Sequence, residues 1–149
     1  MKLYKIKKSK IDKIGLYANR DIKKGTRIIE YKGKIITTRQ SEENPKFDNG
    51  KAIYLFNINK KYDLDGDFKF NTARLINHSC EPNCEVFGSG LKIWVYAIKN
   101  IKKGEELSYD YGFNYDDDYK AYPCKCGTKN CAGYIVRQGS RWRIKKRTK

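Results

Sequence analysis

Apolar residues occur along this chain in short runs, and the sequence has no long amphipathic stripe typical of a helix. Five runs are rich in isoleucine, tyrosine, valine and phenylalanine, and their length of about four to ten residues is typical of β-strands. They occupy residues 3–8, 26–36, 52–58, 91–98 and 106–111. One helical turn is expected within Thr37–Asn44, and a short helix over Asn71–Ile76. The pattern predicts a mostly-β chain of short strands with long irregular connections.

Two segments rich in lysine and glycine separate the predicted strands. Residues 21–26 read DIKKGT and residues 100–105 read NIKKGE, and both are typical of a tight turn before a strand. Beyond residue 113 the composition shifts toward charge, glycine and cysteine. We therefore expect residues 114–149 to form a C-terminal appendage that is ordered by something other than a hydrophobic core.

The length of 149 residues suits one domain with a core of its own. No apolar run approaches the ~20 residues that span a bilayer. The N-terminal sequence MKLYKIKKSK lacks the apolar stretch of a secretory signal. We expect an intracellular protein with no membrane contact, in which an odd number of cysteines, five, favours metal ligands or free thiols over disulfides.

The formal net charge is +16. One explanation for this charge is a compositional bias toward lysine on solvent-exposed surfaces. The other is that the protein binds a polyanion. From Arg137 to Lys149 the chain carries seven basic residues, no acidic residue, and Trp142. Because a basic segment with an aromatic side chain can follow phosphates and stack on a base, contact with DNA is one expectation. The acidic run Asp116–Asp118 could offset the repulsion of a lysine-rich peptide.

Three cysteines near the C-terminus have the spacing of metal ligands. Cys124, Cys126 and Cys131 follow the pattern C-x-C-x4-C. A structural zinc site takes four ligands in a tetrahedron, and Cys80, in a polar, loop-like segment, is the candidate for the fourth. Cys84 lies at the start of a predicted strand and is expected to be a small buried hydrophobe. The alternative is that all five are ordinary cysteines.

Two tyrosines are the candidates for chemistry. Tyr109 and Tyr111 share one face of a regular strand, with Asp110 on the other. With the segment around His78, the only histidine, they could line an aromatic tube that suits a cationic amine, because ring faces attract ammonium groups. The alternative is that both are packing residues, as most of the 12 tyrosines must be. Gly15 could let backbone groups approach a ligand, and a simple turn explains it as well.

Three motifs, in this order and spacing, resemble one enzyme family: RLINHSCEPNC, GEELSYDYGF and CKCGTKNCAGYI. With the block IGLYA…IKKGTRIIEYKGKI and the run AIYLFNI, they resemble SET-domain protein-lysine methyltransferases with a post-SET zinc motif. The resemblance covers most of residues 10–135. It implies a SET domain over residues 1–113, a post-SET zinc segment over 114–135 and a basic C-terminal tail over 136–149.

The fold implied by the resemblance is mostly β, with several small β-sheets and a C-terminal pseudoknot in which a strand threads through a loop. The threaded segments would be Asn77–Cys80 and Ser108–Tyr111, which would place His78 beside Tyr111. Such threading is an exception to the rule that chains do not pass through loops.

The activity implied by the resemblance is transfer of a methyl group from S-adenosylmethionine to a lysine side chain of a basic protein. The residues implied to border the donor are Asp12, Lys13, Ile14, Tyr54, Asn77, His78 and Tyr122. Those implied for the reaction and the lysine channel are Tyr111 as the catalytic tyrosine, with Tyr109 and Tyr31 as channel walls. The implied zinc ligands are Cys80, Cys124, Cys126 and Cys131.

The chain departs from the family at one position. The family commonly has Gly-x-Gly where this chain has Lys13, Ile14 and Gly15, so the first glycine is missing and either donor affinity or loop shape is expected to differ. Tyrosine rather than phenylalanine at position 109 implies mainly monomethylation, because the extra hydroxyl occupies space that a methylated amine needs.

The family analogy implies a lysine-rich, histone-like substrate. It implies a nuclear or chromatin-associated location in a eukaryote and a cytoplasmic one otherwise. The competing hypothesis is a non-catalytic, zinc-stabilised module that binds chromatin or nucleic acid. The combination of Asn77, His78, Tyr109 and Tyr111 favours the enzyme, since a binding module has no reason to keep it. The sequence predicts no oligomeric state.

Overall fold

The fold is seen in a computed structural model that describes residues 2–47 and 54–144. Strands β1 to β10 span Tyr4–Lys8, Ile14–Ala18, Arg27–Tyr31, Lys34–Thr37, Leu55–Asn57, Tyr62–Asp65, Asn77–His78, Cys84–Ser89, Lys92–Ala97 and Ser108–Tyr109. Helix α1 spans Thr38–Glu43, and 3-10 helices span Pro45–Phe47, Thr72–Leu75, Tyr119–Ala121 and Gln138–Arg143.

The strands form four small sheets within the described residues. Three are antiparallel, with the strand orders β1-β2, β3-β9-β8 and β4-β6-β5. The fourth is the parallel pair β7-β10, in which Asn77 lies opposite Ser108 and His78 opposite Tyr109. The predicted mostly-β fold of several small sheets is confirmed. The threading of one segment through a loop stays a prediction.

The predicted strand runs correspond to β1, to β3 with β4, and to β5, β9 and β10. The run over residues 26–36 holds two strands, separated by a turn that includes Gly33. A Cβ atom at Gly33 would lie 2.1 Å from the carbonyl oxygen of Asp65, so only glycine allows this close approach. Residues 52 and 53 of the third run lie outside the described residues.

Strand β6 carries no strand signal in its sequence, because it reads YDLD and aspartate is depleted in strands. Its two buried carboxylates have partners in the tertiary structure. Asp63 accepts hydrogen bonds from the Ser41 hydroxyl at 2.5 Å and the Asn57 amide at 2.7 Å. Asp65 pairs with Lys46 at 2.7 Å. These contacts stabilise a strand that propensity alone does not favour.

Both predicted lysine-glycine turns are present. Gly25 and Gly104 have φ angles of 89° and 93°, in the left-handed region that glycine adopts without steric penalty. Ile22 and Ile101, one from each turn, exchange two backbone hydrogen bonds of 2.8 Å. The two turns therefore lie side by side and close the sheets around the core.

The two predicted helical segments are short, as expected. Helix α1 begins after Thr37, whose side chain forms a capping box with Gln40, so two backbone donors of the first turn are satisfied. The segment Asn71–Ile76 forms a 3-10 helix over Thr72–Leu75 rather than an α-helix. It leads directly into β7, which carries Asn77 and His78.

The core is built from aliphatic side chains of the sheets and the turns between them. Those that are fully buried include Leu16, Ile76, Val95, Ile101 and Leu107. Val136, beyond the residue where the appendage was expected to begin, is also fully buried. Among the residues described, no helix combines the length and the apolar character that crossing a bilayer requires.

Candidate active site

A cavity of about 580 Å³ lies between the loop before β2, strand β7 and the segment after β10. Its volume is in the range of small-molecule sites. All seven predicted donor-binding residues line it: Asp12, Lys13, Ile14, Tyr54, Asn77, His78 and Tyr122. Tyr111 lines it as well. The structure thus brings together residues that are spread over about a hundred positions of the sequence.

The side chain of Asn77 holds the loop before β2 in place. Its amide nitrogen lies 3.1 Å from the carbonyl oxygen of Asp12 and 3.3 Å from that of Ile14. It also lies 3.0 Å from both the Ser9 hydroxyl and the Glu106 carboxylate. These four acceptors share two N–H donors. Asn77 therefore ties β7 to the backbone that borders the cavity.

Lys13 is the position at which the resemblance implies a missing glycine. Among the described residues other than glycine, it alone has a positive φ angle, 42°. A non-glycine residue in the left-handed region is strained by on the order of 1 kcal/mol. The Lys13 carbonyl accepts a hydrogen bond of 2.9 Å from the Ser9 amide. The loop thus keeps a backbone conformation that favours glycine. The hydrogen bonds to the carbonyls of Asp12, Lys13 and Ile14 compensate for the strain.

Tyr111 and His78 are in direct contact. The Tyr111 backbone N–H donates to Nδ1 of His78 at 3.1 Å, and the two ring centroids are 5.4 Å apart. The Tyr111 hydroxyl donates to the Ile76 carbonyl at 2.6 Å. Tyr111 is therefore held by both its backbone and its hydroxyl. The hydroxyl points to the carbonyl of Ile76, the residue just before Asn77 and His78.

Tyr109 and Tyr31 lie behind Tyr111 and do not line the cavity. The ring of Tyr109 is 4.9 Å from that of Tyr111 and 6.2 Å from that of Phe56. Tyr31 packs against Phe56 at 4.6 Å. Both tyrosines are buried. The three phenols and Phe56 thus form one aromatic cluster adjoining the cavity.

Burial raises the pKa of Tyr31, Tyr109 and Tyr111 above the ordinary value of 10. For all three, desolvation of the phenolate is the largest cause, and neighbouring tyrosines add to it. At neutral pH the three phenols are therefore neutral. They can donate hydrogen bonds through their hydroxyls, but they are not general bases.

The other side of the cavity is formed by the segment after β10. Phe113 packs between Tyr111 and Tyr122, with ring centroid distances of 5.7 and 5.2 Å. The carbonyl of Tyr122 accepts a hydrogen bond of 2.8 Å from the Ile135 amide. An aromatic wall therefore runs from Tyr111 to the segment that carries three of the cysteines.

The four predicted zinc ligands lie together. The sulphur atoms of Cys80, Cys124, Cys126 and Cys131 are all within 4.8 Å of one another, and those of Cys80 and Cys124 are 3.7 Å apart. A tetrahedral zinc site with zinc–sulphur bonds of ~2.3 Å has sulphur–sulphur distances of about 3.8 Å. The spacing and the ligand type therefore both fit zinc.

The fifth cysteine differs from the other four. Cys84 is fully buried in β8, and burial raises the pKa of its thiol to about 12. Among the described residues, the sulphur of Cys84 is not part of the cluster that the other four form. Because metals bind the thiolate, Cys84 is a small hydrophobic core residue, as the sequence suggested, and is not a candidate ligand.

Sequence reasoning missed two residues that support Asn77. The Glu106 carboxylate accepts a hydrogen bond of 2.8 Å from the Ser9 hydroxyl. Gly15 makes room for it, since a Cβ atom there would lie 2.7 Å from Oε2 of Glu106. Glu106 belongs to the motif GEELSYDYGF, and a search for acids within the motifs would have found it. Ser9 gives no signal among the surrounding lysines.

Comparison with known proteins shows which family this chain resembles. The family model of the SET domain matches residues 13–112. Human histone-lysine N-methyltransferase 2D is 42% identical over 134 residues, which is 86% of this chain and 2% of that protein. Histone-lysine N-methyltransferase trr of Drosophila melanogaster is 42% identical over 134 residues, 86% of this chain and 6% of that protein.

A third relative is histone-lysine N-methyltransferase set-2 of Caenorhabditis elegans, 39% identical over 141 residues, which is 90% of this chain and 9% of that protein. The chain thus spans less than a tenth of the length of each of these three relatives. The family match, however, covers well over half of the chain and includes β2 through β10. This chain belongs to the SET-domain family.

Proposed function

We propose that this chain is a protein-lysine N-methyltransferase that uses S-adenosylmethionine. The observation that carries the proposal is that Asn77, His78 and Tyr111 border the same cavity. The names of the relatives favour a lysine-rich, histone-like substrate. With such a substrate, the protein would be nuclear or chromatin-associated if its source is a eukaryote, and cytoplasmic if it is not.

We propose the following domain organisation for this function. Residues 1–113 are the SET domain, residues 114–135 the zinc-bound post-SET segment, and residues 136–149 a basic C-terminal segment. The four clustered sulphurs of Cys80, Cys124, Cys126 and Cys131 support one zinc ion in a closed, structural site. In this arrangement Cys80 joins the zinc segment to β7, two residues from His78.

The cavity lining fits S-adenosylmethionine, which supplies a methyl group on a positively charged sulphur. Tyr54 and Tyr122 offer aromatic surface for a flat base. Asp12 and Arg74 line the same cavity, so residues of both signs are available to the two charges of an amino-acid group. The lining thus supports the proposal with aromatic residues for the base and charged residues for the amino-acid group.

The side chains around Tyr111 would favour the neutral form of the lysine amine, which is the nucleophile that attacks the methyl group. A free lysine has a pKa of ~10.4 and is protonated at neutral pH, and an aromatic, desolvated site lowers that pKa. Tyr111 would then orient the neutral amine in line with the methyl group, with Tyr109 and Tyr31 as walls of the lysine channel. Alignment of this kind lowers a barrier by up to ~7–11 kcal/mol.

The direct test is transfer of radiolabelled methyl groups from S-adenosylmethionine to histones, nucleosomes and proteins of a whole-cell lysate. We expect labelled lysine in at least one of these substrates. The Tyr111→Phe variant in the same assay is the control. A folded protein that labels none of them would overturn the proposal.

Product number provides a second test of the site. We expect the wild-type protein to form mainly monomethyllysine, and Tyr109→Phe to raise the share of di- and trimethyllysine, because loss of the hydroxyl frees space beside the methylated amine. Mass spectrometry of the product peptide measures this. Tyr96→Phe, on β9 and packed against Phe87, is the matched control and should leave the product unchanged. Mainly trimethyllysine from the wild-type protein would contradict the assignment.

A second candidate function, nucleic-acid binding, is favoured by the exposure of one aromatic side chain. Trp142 is 82% exposed and lies in the segment that carries seven basic residues between Arg137 and Lys149. Residues 145–149 lie outside the described residues. An exposed indole among arginines suits stacking on an unpaired base. This binding is compatible with methyl transfer.

We expect the protein to bind a fluorescent single-stranded oligonucleotide, with affinity that falls steeply as salt rises. Trp142→Ala should weaken binding by about 1–3 kcal/mol, as measured by fluorescence anisotropy over a salt series. Phe70, which is 61% exposed, provides the matched control, and Phe70→Ala should bind like the wild type. Equal affinity of the wild type and the Trp142→Ala variant would exclude the stacking role.

A further inference from the structure

The segment that follows the cysteines is docked against the cavity. The amide of Ile135 donates to the Tyr122 carbonyl at 2.8 Å, and the amide of Arg137 donates to the Phe113 carbonyl at 2.7 Å. Val136, between them, is fully buried. Residues 135–137 therefore hold both aromatic residues of the cavity wall that follows β10.

Arg141 extends this docking to the strands that carry His78 and Tyr111. Its Nη1 donates to the Cys80 carbonyl at 2.9 Å, its Nη2 to the Asp110 carboxylate at 3.0 Å, and its Nε to the Val136 carbonyl at 3.0 Å. The side chain is only 16% exposed. The planar guanidinium, with its fixed fork of donors, joins three separate parts of the chain in one geometry.

Asp110 receives these contacts directly beside Tyr111. One carboxylate oxygen accepts from the Gly112 amide at 2.8 Å, and the other accepts from the Gln138 amide and from Arg141, each at 3.0 Å. The first oxygen lies 3.8 Å from Nδ1 of His78. The carboxylate is thus held on several sides. Asp110, through its side chain, and Phe113, through its carbonyl, both contact the C-terminal segment, so the chain is tied to that segment before and after Tyr111.

We propose that Arg141 is a positioning residue for the reaction, one that acts through Asp110 and the Cys80 backbone. It clamps the chain just before Tyr111 to the chain just after His78, and so sets how the phenol faces the cavity. This inference rests on the proposed function. A partly buried, charge-assisted contact with three acceptors is stronger than a surface ion pair, so its loss should be measurable.

The test compares Arg141→Ala with Arg141→Lys in the full chain, with Arg20→Ala as the control at an exposed arginine. We expect Arg141→Ala to lower kcat by about tenfold or more, as loss of a charged hydrogen bond implies, with a smaller change in KM for the peptide. Arg141→Lys should recover only part of kcat, because an ammonium group cannot reproduce the fork. A kcat of Arg141→Ala within twofold of the wild type would overturn the proposal.

A double-mutant cycle separates positioning from a general loss of structure. If Arg141 acts through Asp110, the losses of kcat in Arg141→Ala and Asp110→Asn should not add in the double variant. Additive losses would overturn the proposal, as would loss of bound zinc from Arg141→Ala, measured by elemental analysis.

Hydrogen exchange provides a readout that does not depend on activity. The amides of Gly112 and Gln138 should exchange faster in Arg141→Ala than in the wild type, while that of Val95 in the core should not change. If the wild type transfers no methyl group, the proposed function fails, and exchange still tests the clamp. Unchanged exchange at Gly112 and Gln138 would show that the clamp is absent.

Discussion

Replacing Tyr111 with phenylalanine is expected to reduce methyl transfer by at least about a hundredfold, the loss that a 1 Å misplacement of reacting groups can cause. The hydroxyl donates to the Ile76 carbonyl at 2.6 Å, and the substitution removes the fixed polar group that would orient the lysine amine beside His78. The fall should appear in kcat, measured by single-turnover transfer from radiolabelled S-adenosylmethionine, more than in donor binding.

The same variant should remain folded. It loses one hydrogen bond, which contributes about 0.5–1.5 kcal/mol net, and the ring keeps its packing against Tyr109 and Phe113. Thermal unfolding and circular dichroism check this. Tyr96→Phe, at a residue that does not line the cavity, is the control and should keep wild-type kcat. Full activity in Tyr111→Phe would refute the role given to this residue.

Removal of zinc is expected to abolish methyl transfer and to release the segment after β10. The proposed site joins Cys80, next to β7, to Cys124, Cys126 and Cys131. Zinc binding of this kind contributes about 10–16 kcal/mol in small zinc-finger peptides, which is comparable to the stability of a whole domain, about 5–15 kcal/mol. Without it, Phe113 and Tyr122 should no longer close the cavity.

Zinc removal can be measured without an activity assay. Elemental analysis should find one zinc ion per chain, and a chelator should make residues 114–144 sensitive to trypsin while the sheets keep their circular dichroism. Cys126→Ser should lose zinc. Cys84→Ala, which removes the buried thiol of β8, should keep one zinc ion per chain and is the matched control. Zinc retained by Cys126→Ser and lost by Cys84→Ala would show that the ligands are wrongly assigned.

Local patterns were sufficient for the parts of the fold in which neighbours along the chain interact. The strand runs, the two turns with Gly25 and Gly104, and the capped helix α1 all follow from residues a few positions apart. Strand β6 did not follow, because its aspartates are stabilised only by side chains that the fold brings to them.

The candidate site shows the same division. The family resemblance of the motifs implied the residues that line the cavity, and the type and spacing of the cysteines indicated the cluster of sulphurs. The position of Tyr109 and Tyr31 behind Tyr111 could be seen only in the packing of the rings in the tertiary structure. The residues of the site come from a loop, a parallel strand pair and a separate sheet, and no periodic pattern in the sequence indicates that such distant segments meet.

The sequence by itself thus determined which residue types line the cavity, which cysteines lie together and the short-strand character of the fold. Only the tertiary structure decided what holds them in place. Ser9 meets Glu106 across 97 residues, and Arg141 meets the Cys80 carbonyl across 61. Such contacts leave no trace in local composition, because their hydrogen bonds depend on distances that exist only after the sheets have packed and the C-terminal segment has docked.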